Sequence, residues 1–274
     1  MLELNRIYNC DCVEGMKQLE DNSVDMVLTS PPYDNLRTYD NDIDKTWGEH
    51  IWKPIIEELF RVIKQGGVCV WVVNDATING SETGTSFRQA LYAMECGFNL
   101  HDTMIYQKQN PIPQNHNRYE QSFEYMFVFS KGKPKTFNAI REKTLHGGEK
   151  MNWGGRKTEM DVNQCRRHRN DEYLQVKKDK PHKNIFCYSI GGSVTGHPAV
   201  FPYQLARDHV VSWSNENDVV IDPFIGSGTT AIACIREKRH FIGFEINEEY
   251  YKKACKRIKK EQAEIESSLL NELT

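Results

Sequence analysis

Two consecutive prolines directly after an apolar run are the feature that most constrains the fold of this chain. Residues 24–28 read Val-Asp-Met-Val-Leu, which predicts a short buried strand, and Thr29-Ser30-Pro31-Pro32-Tyr33 follows it. Neither proline can donate to a β-ladder, so the strand has to stop there, and Pro32 holds Pro31 in an extended conformation. The resulting stiff loop offers carbonyl oxygens and a serine hydroxyl beside an aromatic ring. Such a loop suits a planar ligand that carries an amino group, although an ordinary turn that closes a strand would use the same residues.

Buried strands alternate with amphipathic helices along most of the chain. The apolar runs predict seven strands, at 7–10, 25–28, 68–73, 102–106, 123–129, 218–221 and 240–244. Helical spacing predicts helices at 13–19, 51–63, 87–96, 203–213 and 231–235, and a charged helix from 248 onward. This alternation indicates an α/β fold with a largely parallel, doubly wound sheet. The polar stretch 34–42 predicts a mobile loop beside the prolines, where a lid would lie.

The alternation fails between residues 131 and 182, and basic charge accumulates there. Residues 131–183 carry about fifteen Lys or Arg against about seven Asp or Glu, whereas the whole chain has a formal net charge of −3. The rest of the chain is therefore acidic, and the basic stretch predicts a loop-rich insertion with a local surface for an anionic partner. A merely solvated surface excursion is the alternative interpretation.

The spacing of the cysteines and the distribution of apolar residues narrow the class of protein further. None of the eight cysteines forms a C-x-x-C pair, and Cys10-x-Cys12 has the wrong spacing for a usual zinc site, so we expect no metal. Several cysteines lie in apolar runs, which predicts reduced, buried thiols and a cytoplasmic protein. The first residues lack a basic start followed by an apolar stretch, and no run of eighteen apolar residues occurs, so neither a signal peptide nor a membrane span is expected.

A glycine-rich turn separates the predicted strand 218–221 from the following helix. Gly226-Ser227-Gly228 would present backbone N–H groups and a helix N-terminus to an anionic ligand group, and Glu245, at the end of the next strand, could accept from ribose hydroxyls. The turn matches neither the dinucleotide fingerprint nor a phosphate loop. It therefore indicates a nucleoside with a smaller anionic group, such as an amino-acid carboxylate, and a tight strand-to-helix turn without ligand is the alternative.

Three motifs together resemble those of the amino-DNA methyltransferases. Asp222-Pro223-Phe224-x-Gly226-Ser227-Gly228-Thr229-Thr230 is similar to their S-adenosylmethionine motif, Ser30-Pro31-Pro32-Tyr33 to their catalytic motif, and His197-Pro198-Ala199-x-Phe201-Pro202 to the segment before the cofactor motif. Their order resembles that of the β group. The resemblance implies a seven-stranded, Rossmann-like methyltransferase sheet, circularly permuted, with an inserted basic target-recognition region. The implied ranges are 1–130 for the catalytic half, 131–195 for the insertion and 196–274 for the S-adenosylmethionine-binding half of the same domain.

The resemblance also assigns roles to individual residues. The catalytic set is Ser30, Pro31, Pro32 and Tyr33. The residues implied around S-adenosylmethionine are Asp11, Cys12, His197, Phe201, Pro202, Asp222, Phe224, Gly226, Ser227, Gly228, Thr229, Thr230 and Glu245. The candidate contacts to double-stranded DNA are Arg37, Tyr39, Arg156, Lys157, Arg166, Arg167, Arg169, Lys177 and Lys178. Because a paired base cannot reach such a pocket, base flipping is implied as well.

Serine at the first catalytic position favours cytosine N4 as the methylated atom, and adenine N6 is the alternative. Methylation at cytosine carbon 5 is not expected, because its nucleophilic cysteine usually follows a proline and the chain has no Pro-Cys dipeptide. An RNA methyltransferase, a protein or small-molecule methyltransferase, and a nucleic-acid-binding protein without activity remain the competing classes. The resemblance leaves a homodimer and a cognate restriction endonuclease open.

Overall fold

The computed structural model describes residues 2–32, 47–111, 117–152, 173–189 and 202–272. Its contacts divide the chain into two units. The first comprises Met1–Asn138 and Asn184–Thr274, and the second comprises Ala139–Lys183. Among the described helices none is long and apolar enough to cross a membrane.

The described residues form fourteen strands and six helices. In chain order the strands are β1 (Arg6–Tyr8), β2 (Val24–Thr29), β3 (Ile63–Val73), β4 (Thr77–Ile78), β5 (Ser81–Glu82), β6 (Asn99–Lys108), β7 (Phe123–Ser130), β8 (Arg141–Lys143), β9 (Lys150–Asn152), β10 (Tyr173–Gln175), β11 (Asp179–Pro181), β12 (Ile185–Tyr188), β13 (Val219–Asp222) and β14 (His240–Phe244). The helices are α1 (Cys12–Met16), α2 (Glu49–Val62), α3 (Thr85–Glu95), α4 (Tyr203–Trp213), α5 (Thr229–Arg236) and α6 (Glu248–Glu272).

The first unit is built on an eight-stranded sheet with the order β1-β14-β13-β2-β3-β7-β6-β12. Strand β7 pairs antiparallel with both β3 and β6, and the other neighbouring pairs are parallel. The predicted α/β fold is confirmed, with one strand beyond the predicted seven. The additional strand, β12, lies inside the range predicted for the insertion. It is a four-residue edge strand that directly follows Lys183 and Asn184, and it is too short to stand out against its basic surroundings.

Apolar side chains alternate between the two faces of the sheet, and each face is covered by helices. On β2, Met26 and Leu28 pack with residues of α4, α5 and α6, whereas Val27 packs with residues of α1, α2 and α3. Because both faces are buried, the central strands read as continuous apolar runs rather than as alternating ones. The result is three layers, with the sheet between two helical layers.

The chain runs toward opposite edges of the sheet from β13 and from β2, because β13 leads to β14 on one side and β2 leads to β3 on the other. Helix α5 follows β13 on one face and leads to β14, while α2 precedes β3 on the opposite face. Parallel strands that diverge in this way leave a crevice beyond their carboxyl ends, where α/β proteins bind ligands. The carboxyl ends here are Thr29 and Asp222.

Strand β3 begins earlier than the sequence predicts, and one small hairpin was not predicted. The strand expected at 68–73 begins at Ile63, directly after α2, so the glycine pair Gly66-Gly67 lies within β3 rather than between helix and strand. The backbone N–H of Gly66 donates to the Lys131 carbonyl at 2.7 Å, which binds this part of the strand to the end of β7. The small hairpin of β4 and β5 was not predicted, although Asn79-Gly80 at its tip is a strong hairpin signal.

The second unit contains two small antiparallel ribbons among its described residues, β8 with β11 and β9 with β10. Ion pairs connect the strands of the first ribbon, with Lys180 Nζ 3.1 Å from Glu142 Oε1 and Arg141 against Asp179. Exposed pairs of this kind contribute little to stability.

Candidate active site

The carboxylate of Asp222 connects the two strand ends at the crevice. Its Oδ1 accepts a hydrogen bond from Thr29 Oγ1 at 2.6 Å, across from β2, and another from the Phe224 N–H at 3.0 Å. Its Oδ2 accepts from Thr230 Oγ1 at 2.7 Å, in the first turn of α5. Burial raises the pKa of Asp222 to about 6, although these three hydrogen bonds act in the opposite direction. Asp222 thus fixes the end of β2, the glycine-rich turn and α5 against one another.

The glycine-rich turn takes a backbone shape that few residues other than glycine adopt. Gly226 has φ +50° and Gly228 has φ +82°, both in the left-handed region. Gly228 is the N-cap of α5, and since it has no side chain, nothing from this residue covers the first N–H groups of the helix. The residues around it differ in exposure, because Gly226 and Phe224 are partly exposed while Ser227, Thr229 and Thr230 are buried.

Glu245 lies at the end of β14 and faces the same turn. Its Oε2 accepts from the Gly226 N–H at 3.1 Å and its Oε1 from the Asn247 N–H at 2.8 Å. Burial raises the pKa of Glu245 above its ordinary value, against the lowering effect of these backbone donors. The carboxylate is held by one bond on each oxygen and is partly exposed, so it has lone pairs left for the hydroxyls of a ligand.

Asp11 and Cys12 lie at the neighbouring strand end, after β1. Asp11 is the N-cap of α1, where its Oδ1 accepts from the Val13 and Glu14 N–H groups at 2.9 and 3.1 Å. Cys12 is buried, which raises the pKa of its thiol, so this thiol stays protonated. The side-chain amide of Asn9 donates to the Glu245 carbonyl at 2.8 Å and ties this segment to the end of β14.

The proline loop continues directly from Thr29. Ser30 and Pro32 are partly exposed and Pro31 is buried. Because Thr29 is bonded to Asp222, the start of the loop lies at the same end of the sheet as the glycine-rich turn. The structure therefore brings the first three residues of the predicted catalytic motif and most predicted cofactor residues to one edge.

Pro202 and two lysines complete the predicted residues that the structure describes. Pro202 is buried as the N-cap of α4, and Lys177 and Lys178 are exposed in the second unit. The polar stretch 34–42 and ten of the predicted residues lie outside the described part of the chain, namely Tyr33, Arg37, Tyr39, Arg156, Lys157, Arg166, Arg167, Arg169, His197 and Phe201.

Three residues of the site were missed by the sequence analysis. Thr29 belongs to the strand and gives no sign that its hydroxyl reaches Asp222. Trp47 packs edge-on against Phe224, with ring centroids 5.6 Å apart. Arg257, on α6, donates to Ser227 and Thr229. None of the three contacts offered a signal in the sequence, because each residue lies far along the chain from the group it touches.

The arrangement has the donors and acceptors that S-adenosylmethionine requires. The open first turn of α5 suits a carboxylate, the Glu245 carboxylate suits vicinal hydroxyls, and the Phe224 ring suits an adenine. A crevice of this kind at the switch point of an α/β sheet is where such folds bind nucleoside ligands.

The comparison with known families agrees with this geometry. The family described as DNA methylase, which covers N6 and N4 methyltransferases, matches residues 24–256. The chain therefore belongs to the N4/N6 amino-methyltransferase family of DNA methyltransferases, which depends on S-adenosylmethionine.

Similar proteins cover nearly the whole chain. The orphan methyltransferase M.BamHII of Bacillus amyloliquefaciens is 46% identical over 252 residues, 89% of this chain and 91% of that protein. The type II methyltransferase M.BglII of Bacillus subtilis is 29% identical over 255 residues, 90% of this chain and 67% of that protein.

Solved structures match over a similar range. The crystal structure of the M1.HpyAVI–S-adenosylmethionine complex has a TM-score of 0.62 and 26% identity, covering 92% of this chain and 98% of that one. The cytosine-N4-specific PvuII DNA methyltransferase has a TM-score of 0.67 at 18% identity, covering 93% and 90%, a likeness that concerns the fold alone.

Proposed function

We propose that this protein transfers a methyl group from S-adenosylmethionine to the N4 amino group of a flipped cytosine in double-stranded DNA. The observation that carries the proposal is the 2.6 Å hydrogen bond from Thr29 to Asp222. It holds the loop Ser30-Pro31-Pro32 at the switch point of the sheet, beside the glycine-rich turn. A loop that would accept from an amine and a turn that would bind an anionic nucleoside are thereby held at the same end of the sheet, which supports the proposal.

Residues of the turn and of two strand ends would hold the cofactor. Glu245 would accept from the ribose hydroxyls, and Phe224 with the Asp11-Cys12 segment would contact the adenine. The N–H groups at the start of α5 would bind the carboxylate. When bound, S-adenosylmethionine supplies a methyl group on a positively charged sulfur, which is already activated for transfer.

The proline loop would prepare the amino group. An exocyclic amine is a weak nucleophile, because its lone pair is delocalised into the ring. If its two protons are donated to Ser30 Oγ and to the Pro31 carbonyl, the nitrogen becomes more pyramidal and its lone pair can point at the methyl group. Tyr33 would stack on the base. Most of the rate acceleration would come from positioning, because the methyl group is already activated. As the nitrogen–carbon bond forms, the carbon–sulfur bond would break and the sulfur would leave as a neutral thioether. The methylated nitrogen would then release one of its two protons to solvent.

The second unit supports DNA as the partner. Lys177 and Lys178 are exposed there, in the part of the sequence where basic residues exceed acidic ones. Such residues would bind phosphates and so position the duplex without reading its sequence. The base would have to leave the helix to reach the crevice.

The decisive experiment measures the transferred methyl group directly. The purified protein is incubated with labelled S-adenosylmethionine and mixed-sequence duplex DNA, and the nucleosides of the product are identified by mass spectrometry. We expect N4-methylcytosine. N6-methyladenine would retain the family and overturn the choice of base, and label found only in RNA or protein would overturn the proposal as a whole.

A serine variant tests the role of the proline loop. Ser30→Ala removes one acceptor for the amine, and we expect kcat to fall about 10²-fold at unchanged affinity for S-adenosylmethionine, within the range of positioning effects. Ser81→Ala, in the exposed β4–β5 hairpin, is the matched control. Equal kcat values for the two variants would contradict the assigned role.

A further inference from the structure

The side chain of Arg257 reaches from α6 to the cofactor turn. Its Nη1 lies 3.0 Å from the Ser227 carbonyl oxygen, 3.3 Å from Ser227 Oγ and 2.9 Å from Thr229 Oγ1. Ser227 is the middle residue of the turn and Thr229 is the first residue of α5. One nitrogen of Arg257 therefore binds both residues that flank Gly228.

The charge of Arg257 lacks a direct counter-ion within the described part of the chain. No carboxylate there lies within 4.0 Å of its guanidinium, and the acidic residue that acts on it electrostatically, Glu261, is engaged by Arg236 at 2.9 Å. Arg257 is half-buried, and this burial lowers the pKa of its guanidinium. A half-buried cation without a carboxylate is unfavourable unless another anion compensates it.

The hydrogen bonds alone do not explain why an arginine occupies this position. Ser227 and Thr229 offer only neutral oxygen acceptors, which a neutral donor could satisfy without the desolvation of a charge. The positive charge adds to the positive end of α5 at the same turn. Both therefore favour an anionic group at this position.

We propose that Arg257 is a positioning residue for the carboxylate of S-adenosylmethionine. Arg257 would favour binding of this carboxylate in two ways, by holding Ser227 and Thr229 in place and by its positive charge. This inference rests on the placement of the cofactor at the glycine-rich turn proposed above. It does not require contact between Arg257 and the ligand, because a charge separated by one residue still acts across a partly buried site.

The test compares two ligands that differ only in the carboxylate. Dissociation constants of S-adenosylmethionine and of decarboxylated S-adenosylmethionine are measured by calorimetry for the wild-type protein, Arg257→Met, Arg257→Gln and Arg257→Lys. Gln retains an N–H donor without the charge, and Lys retains the charge. Lys259→Met is the control, since it removes a positive charge from an exposed position of the same helix, α6.

We expect Arg257→Met and Arg257→Gln to weaken binding of S-adenosylmethionine about tenfold, while binding of the decarboxylated compound changes less than about twofold. Arg257→Lys should retain the wild-type preference within about threefold, and Lys259→Met should leave it unchanged. The ratio of the two constants is measured within each folded variant, so a loss of overall stability does not imitate the effect.

Three results would overturn the inference: equal weakening of both ligands, no weakening of either, or a selective loss as large in Arg257→Lys as in Arg257→Met. Methyl transfer to DNA by the wild-type protein is recorded separately. The proposed activity can therefore stand when the role of Arg257 fails, and a wild-type protein that binds neither ligand would overturn both.

Discussion

Replacing Asp222 by asparagine should change how the stability of the protein depends on pH. In the unfolded chain this carboxyl has its ordinary pKa of 3.8, and in the folded protein burial raises the pKa to about 6. Between these values the folded state binds more protons than the unfolded state. The contribution of Asp222 to stability is therefore complete below pH 3.8 and is lost as pH rises through about 6.

The size of this loss follows from the two pKa values. Each unit of difference between the two pKa values corresponds to about 1.4 kcal/mol of unfolding free energy, so the full loss is about 3 kcal/mol. About 2 kcal/mol of this loss falls between pH 4 and pH 7.5. Since Asp222 is only 5% exposed, solvent screening reduces this little. Asparagine cannot ionise, so Asp222→Asn should lack this part of the pH dependence. The amide oxygen of the asparagine can still accept from Thr29, and the Thr230 hydroxyl can rotate to accept from the amide NH2 group.

The assay is urea unfolding of both proteins at several pH values from 4 to 7.5. Other titrating groups are common to both proteins, so the difference between their unfolding free energies isolates Asp222. We expect this difference to move by about 2 kcal/mol in favour of Asp222→Asn as pH rises. Thr29→Val removes a donor that lowers the pKa of Asp222, and should shift the upper end of the transition to higher pH. A difference that stays constant with pH would refute the reasoning.

Three further predictions concern the turn and the basic surface. Gly228→Ala has room for its Cβ, which would lie 3.5 Å from Ala254 Cβ, but forces alanine to φ +82°, so we expect a loss of about 1 kcal/mol in urea unfolding; unchanged stability would contradict a left-handed turn. Glu245→Gln should weaken S-adenosylmethionine about tenfold in calorimetry, and wild-type affinity should fall as acid protonates Glu245 through its raised pKa; a variant that binds as well as wild type would remove Glu245 from the site. The pair Lys177→Ala and Lys178→Ala should reduce the salt dependence of DNA binding by about two in log–log slope, measured by fluorescence anisotropy, and an unchanged slope would show that these lysines do not contact phosphates.

Much of the fold was predictable from sequence because it depends on local rules. The continuous apolar run of β2 and the prolines after it required a buried strand that ends at Thr29, and the glycines after β13 required a strand-to-helix turn. The motif Ser30-Pro31-Pro32-Tyr33 pointed to an amine, and the glycine-rich motif to a nucleoside. The ends of strands were less predictable. Strand β3 has eleven residues and begins before the apolar run at 68–73, because pairing across the sheet extends a strand beyond its apolar residues.

Only the tertiary structure decided which of these motifs share a site and what holds them together. The Thr29–Asp222 hydrogen bond joins residues 193 positions apart, and that from Arg257 to Thr229 crosses from α6 to α5. Neither bond follows from periodicity or local propensity, because both depend on the order of the strands and on which face each helix covers. The sequence by itself determined the chemical groups at the strand ends. The tertiary structure placed them in one crevice and added a half-buried charge beside the turn, since only the packed chain brings residues distant in sequence within hydrogen-bond distance.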